Sequence, residues 1–134
     1  MSPHRNLDVL DAAELVAHEI NEIIDSTPGL MHVDQLRRSA QSIGSNIREG
    51  MGRGPGRDRA HFLRTARASA EETIGHLRPN VVSGVIPESL YWRQHNRLVA
   101  ITRMLTMLLR HPSSTDGGSR KRESERLEAQ RRRS

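Results

Sequence analysis

Residues 35–72, QLRRSAQSIGSNIREGMGRGPGRDRAHFLRTARASAEE, decide the fold. Val33, Leu36, Ala40, Ile43 and Ile47 recur at alternating spacings of three and four, the period of one helix face. Gly50, Gly52, Gly54, Pro55 and Gly56 then interrupt the pattern. A second periodic run opens near Asp58, a predicted N-cap, and continues through Phe62, Leu63, Ala66, Ala70, Thr73, Ile74 and Leu77. The stretch reads as helix, glycine-rich basic loop, helix. Its first part, residues 35–67, carries eight arginines (37, 38, 48, 53, 57, 59, 64 and 67) against two acids, Glu49 and Asp58.

Working outward, Val9, Leu10, Ala13, Val16, Ala17, Ile20, Ile23 and Ile24 predict a helix from Leu7 to Asp25. Asn6 is its expected N-cap, and Ser26-Thr27-Pro28-Gly29 ends it. Downstream, Pro79 is expected to kink or end the third helix, because proline lacks an N–H and clashes with the preceding turn. VVSGVIP (81–87) makes the turn. A fourth helix follows Pro87 with Leu98, Ile101, Leu105, Leu108 and Leu109 inward, and His111-Pro112 closes it. Four helices with short connections predict an all-α, antiparallel up-and-down four-helix bundle over residues 1–112. Residues 113–134 hold seven bases, four acids and almost nothing apolar, so a disordered or transiently helical basic tail is expected.

The chain has 134 residues, which predicts one domain. Phe62, Tyr91 and Trp92 are its only aromatic residues, so the core must be built from Leu, Ile, Val, Ala and Met. Such a narrow core often buries further apolar surface against copies of itself. Cysteine is absent, which excludes disulfides and thiolate metal sites. No apolar run approaches the length of a membrane span, and the N-terminus has no secretory apolar core. A cytoplasmic protein without membrane contact is expected. The basic residues are arginines except for Lys121. Phosphate binding and the codon bias of a GC-rich genome both account for that preference, so the placement of the charges says more than their kind.

At about 100° per residue, helix 1 sets its apolar residues opposite Asp8, Asp11, Glu14, Glu19, Glu22 and Asp25, with no Lys or Arg. A uniformly negative outer face is expected there. On helix 3, Arg57, Arg64, Arg67 and Arg78 share one stripe; Arg37 and Arg48 flank the seam of helix 2, and Arg53 lies in the glycine loop. A basic stripe and loop suit a phosphate backbone, RNA or DNA, with Arg37, Arg48, Arg53, Arg57, Arg64 and Arg67 as the contacts. Alternatively, helix 1 of one subunit docks through Asp11, Glu14 and Glu22 on the basic helix 3 of the next. Plain solvated faces are the third possibility.

GMGRGPGR (50–57) lacks the Lys-Ser/Thr pair and the preceding strand of a phosphate-binding loop, and reads as a flexible basic connection. Ser42, Asn46, Glu49 and Gly50 read as structural: Asn46 as a partly buried register residue, and Glu49 as an ion-pair partner of Arg53 four positions on. The seven histidines show no i, i+4 pair, and no metal or other cofactor is expected. No nucleophile-and-base arrangement is evident, so no catalytic residue and no enzymatic activity are assigned. Tyr91 and Trp92 could stack on bases, but read more simply as the cap of the bundle end.

The run Gln35-Leu36-Arg37-Arg38-Ser39-Ala40, followed by Ser42-Ile43-Gly44-Ser45-Asn46-Ile47-Arg48-Glu49-Gly50, resembles the hallmark of the "four helix bundle protein" family. Phe62-Leu63, Ala66, Ser69 and Glu72 fit the third-helix pattern of that family. The family includes proteins encoded in intervening sequences of 23S ribosomal RNA genes and the accessory variability proteins of diversity-generating retroelements. The resemblance covers roughly residues 7–110. It implies an antiparallel four-helix bundle, a pentameric ring of copies, and, for retroelement members, binding to nucleic acid and to a reverse transcriptase. The resulting expectation is a non-enzymatic, homo-oligomeric accessory protein that binds RNA or DNA; the alternative is a self-assembling or protein-binding scaffold.

Overall fold

A computed structural model describes residues 8–111 and 128–133 of the chain. Four long helices follow in order: α1 (Val9–Ser26), α2 (Val33–Met51), α3 (Arg57–Val82) and α4 (Glu88–Arg110). Each packs antiparallel on its chain neighbour, and α4 returns to close against α1. α1 and α3 therefore stand on one diagonal of the bundle, and α2 and α4 on the other. The core is aliphatic, as the composition requires. Val16, Ile20, Leu36, Ile43, Ile47, Leu63, Leu77, Leu98, Ile101 and Leu105 are fully buried along its length. At residues 128–133 the tail forms a short helical stretch with a Glu128–Arg132 pair at 3.6 Å. The rest of the expected disordered tail lies outside the described residues.

Helix boundaries correct three expectations. α1 begins at Val9, capped by Asp8, whose Oδ1 accepts from the Asp11 amide at 2.8 Å. Asn6, the expected cap, lies outside the described residues. α3 begins at Arg57 with Gly56 at the cap position, so Asp58 belongs to the first turn and does not cap it. Pro79 lies inside α3, which continues to Val82. The missing N–H costs little there because the helix ends within a turn, and other bonds hold that turn. The Asn80 side-chain Nδ2 donates to the His76 carbonyl at 3.2 Å, and the Ser83 backbone amide donates to the Pro79 carbonyl at 3.0 Å.

The α2–α3 contact uses small and hydroxylated residues. At Gly50 the helices approach so closely that a Cβ would stand 3.0 Å from Phe62 Cβ and 3.3 Å from the Arg59 carbonyl oxygen. Further along, Ser42 and Ser69 share a hydrogen bond at 2.9 Å, and Thr73 Oγ1 lies 2.8 Å from both Ser39 Oγ and the Ser69 carbonyl. Asn46 is partly buried, as expected, but its amide donates within α2, to the Ser42 carbonyl and hydroxyl at 2.8 and 2.9 Å. The register bond between the helices is thus made by Ser42, which Asn46 orients.

Asn80 ties the other end of the bundle. Its side chain is fully buried; Oδ1 accepts from the Met31 amide at 2.7 Å, and Nδ2 donates to the Met31 carbonyl at 3.1 Å. Its own carbonyl accepts from the Val85 and Ile86 amides at 2.8 and 3.2 Å. One asparagine thereby joins the α1–α2 connection, the end of α3 and the α3–α4 turn. Tyr91 is buried at that end, whereas Trp92 is half exposed and meets Tyr91 and His95 edge-on.

Candidate nucleic-acid interface

The antiparallel order places the start of α1, the end of α2, the start of α3 and the end of α4 at one end of the bundle. Arg48, Arg53 and Arg57 lie at that end, and Arg37, near the start of α2, lies toward the other; by their partners the six expected phosphate contacts divide into two groups. Arg37 is partly buried and donates to Asn21 Oδ1 at 3.1 Å. Arg48 is exposed but paired with Glu14 at 2.9 Å. Arg53 pairs with Glu49 at 3.4 Å and Asp58 at 3.5 Å, and its guanidinium lies over the Phe62 ring, 5.0 Å from the centroid. The expected Glu49–Arg53 pair is therefore present. These three arginines are held by neighbours within the chain.

The second group lies on α3. Arg57 and Arg64 are exposed and make no ion pair among the described residues. Arg67, three residues after Arg64 on the same face, is partly buried and donates to the Thr106 hydroxyl of α4 at 3.2 Å. That bond orients the arginine stripe toward the α3–α4 groove. The first three turns of α3 contain one acid, Asp58, and α4 contains one, Glu88 at its far end.

The acids are distributed differently from the uniform face expected on helix 1. Asp11 is exposed, Glu14 pairs with Arg48, and Glu22 lies 3.4 Å from His18. Glu19 points away from the outer face, into the α1–α4 seam. There it accepts from Gln94 Nε2 at 2.6 Å and pairs with Arg97. Burial pushes the Glu19 carboxyl up, but the bonds from Arg97 and Gln94 and the charges of Arg97 and Arg93 outweigh burial and hold it below its ordinary value. The wheel placed Glu19 with the other acids on the outer face, and the pairing of α1 with α4 corrects that placement by supplying Gln94 and Arg97 as its partners.

Sequence reading also left out Arg103 and Arg110, which flank Thr106 one turn to either side and are exposed. Their spacing about Thr106 was visible, but its meaning depended on which α3 residue Thr106 meets. His32 and His76, far apart in sequence, meet with their Nδ1 atoms 3.0 Å apart. Among the described residues no group of three or more His, Asp or Glu could hold a metal ion. No helix among them is long and apolar enough to cross a membrane.

No functionally curated protein matches the sequence. A crystal structure of a protein of unknown function from the S23 ribosomal protein family of Bacteroides thetaiotaomicron superposes with a TM-score of 0.70 at 25% identity, covering 75% of this chain and 97% of that one. Residues 5–107 match the family profile of the 23S rRNA-intervening sequence proteins, which takes in the motif of α2, the Gly50 crossing and all but the end of α4. The chain belongs to the 23S rRNA-intervening sequence protein family.

Proposed function

We propose that this protein is a nucleic-acid-binding accessory bundle, acting through contacts to phosphates and assembled from several copies of itself. The observation that carries the reading is the stripe of Arg57, Arg64 and Arg67 on α3, diagonally opposite the acidic α1. Arg57 and Arg64 keep their charge unneutralised by neighbouring acids. Paired arginines have to give up an acid before they take a phosphate; these two do not. Such contacts position a nucleic acid without reading its bases, so binding falls steeply with salt. The name of the family and its association with ribosomal RNA genes favour RNA as the ligand. The role is one of binding, not catalysis.

The test is fluorescence anisotropy of the full chain with a labelled structured RNA and a duplex DNA. Several phosphate contacts predict a loss of affinity by orders of magnitude between about 50 and about 200 mM salt. Residues 1–112 measured alongside separate the bundle from the arginine-rich tail. Binding by the bundle alone supports the reading; binding by neither, or only by the chain that keeps its tail, refutes it.

A second reading rests on the diagonal itself. With acids on α1 and bases on α3 facing opposite ways, one copy's α1 complements the next copy's α3, a head-to-tail contact that closes into a ring when the rotation allows. A pentamer, and a reverse transcriptase or other protein as partner, follow from the family resemblance. This scaffold reading and the nucleic-acid reading coexist if the ring leaves a basic edge open.

A further inference from the structure

The arginines of α3 do not stand alone. Thr106 of α4 accepts from Arg67, so the two positions mark where the helices meet. Arg103 and Arg110 lie three residues before and four after Thr106, on the same helical edge. Arg64 and Arg57 lie three and ten residues before Arg67, on the facing edge of α3. All four are exposed, and none makes an ion pair among the described residues. The helices run antiparallel, so on one side of the Arg67–Thr106 contact Arg64 lies beside Arg110 and Arg57 reaches about 9 Å further, past the end of α4, while Arg103 lies on the other side: the α3 row spans about 15 Å from Arg57 to Arg67 and the α4 row about 10 Å from Arg103 to Arg110, at 1.5 Å per residue. Packed helix axes stand about 8–10 Å apart. Glu71, one turn beyond Arg67, borders the patch.

We propose that the α3–α4 edge is a two-row phosphate clamp for double-stranded nucleic acid, with Arg57, Arg64 and Arg67 holding one strand and Arg103 and Arg110 the other. This inference rests on the nucleic-acid reading above and narrows it to a class of ligand. The separation of the rows, extended by the arginine side chains, suits the backbones on either side of a duplex groove, which is about 12 Å wide for the major groove of B-DNA. One strand would need only one row. The aromatic rings of α3 and α4 are engaged within the chain. Phe62 meets His61 edge-on and lies under the Arg53 guanidinium, 5.0 Å from its centroid, and Trp92 stands three turns before Arg103, about 16 Å away, with its ring against Tyr91 and His95. Shape and phosphate contacts without base stacking are the mode by which duplex RNA is held.

The test uses the full chain with three labelled probes of equal length: an RNA duplex, a DNA duplex and a non-pairing single strand. The expected result is at least tenfold tighter binding of a duplex than of the single strand. The R103A/R110A double variant, whose substitutions are at exposed sites, should lower duplex affinity at least tenfold and reduce the salt slope by about two. Its effect on the single strand should stay below about threefold, since only one row is needed there. A single strand bound as tightly as the duplexes, or duplex binding unmoved in R103A/R110A, overturns the clamp and leaves the nucleic-acid reading standing. Loss of assembly mass in R103A/R110A without a change in duplex binding assigns this edge to contacts between copies and also overturns it. Binding to none of the probes removes the nucleic-acid reading itself.

Discussion

Arg48 on α2 donates to Glu14 on α1 at 2.9 Å, joining a residue expected to touch phosphate to one expected to touch a neighbouring subunit. Both side chains are more than half exposed, at 63% and 54%, so the pair is worth less than about 1 kcal/mol. Arg48→Ala is therefore expected to leave stability almost unchanged. Its nucleic-acid affinity should drop less than that of Arg64→Ala, because Arg48 is already neutralised and Arg64 is not. Anisotropy titrations of the two variants side by side decide this; an equal or larger loss for Arg48→Ala shows that the Glu14 pair opens for the ligand.

Gly50 and Gly44 sit in the same helix, yet alanine should act oppositely on them. At Gly50 the added Cβ meets Phe62 Cβ at 3.0 Å and a backbone carbonyl at 3.3 Å, where neither helix can give way cheaply. Overpacking of that kind costs about 1–3 kcal/mol, more than the gain of up to about 1 kcal/mol from replacing a helical glycine. At Gly44 the nearest atoms, on Leu10 and Glu14, are 3.9 and 4.0 Å away, so the helix gain stands alone. Thermal unfolding should place Gly50→Ala below the wild type and Gly44→Ala at or above it.

Asn80→Ala removes the side-chain bonds to both backbone polar groups of Met31 in a buried setting. Each buried group left unpaired costs about 1–3 kcal/mol. A loss of about 2–4 kcal/mol in urea unfolding is expected, with faster hydrogen exchange in the α1–α2 connection. A loss below about 1 kcal/mol contradicts the tie between the connections.

How far these features were legible in the sequence depends on whether they are local. Helix periodicity, the glycine break and the Glu49–Arg53 pair involve neighbours in the chain, and all three are present. Asn80 gave no signal, because its partners lie at Met31 and in the following turn. Pro79 misled because its effect depends on position: near a helix end it removes a bond that other groups replace. Glu19 misled because a wheel cannot say which neighbouring helix covers part of a face it assigns to solvent. For the candidate interface the α3 stripe was readable, whereas the α4 row required the Arg67–Thr106 contact.

Glu19 makes stability depend on pH. Its carboxyl is held below the ordinary value in the folded state, so it stabilises the fold above its unfolded pKa. That contribution fades as pH falls from there through the folded value. Glu19→Gln removes it, so its denaturation midpoint should fall below wild type at neutral pH and converge with it in acid. Parallel curves for the two proteins across that range contradict the assignment.

Charge reversal on α1 separates assembly from binding. If α1 of one copy docks on α3 of the next, Asp11→Arg or Glu22→Arg should lower the mass measured by light scattering, since both residues are exposed. Unchanged mass in both variants removes α1 as an electrostatic contact and leaves the basic face open to a different partner.

The central claim is that the stripe of Arg57, Arg64 and Arg67 on α3 holds phosphates. The most direct measurement is the salt dependence of binding to a structured RNA for the wild type and for a variant lacking Arg57, Arg64 and Arg67. Each lost phosphate contact reduces the slope of log affinity against log salt by about one. The account predicts a slope lower by about three in the variant, with its fold intact by circular dichroism. An unchanged slope and affinity would contradict it.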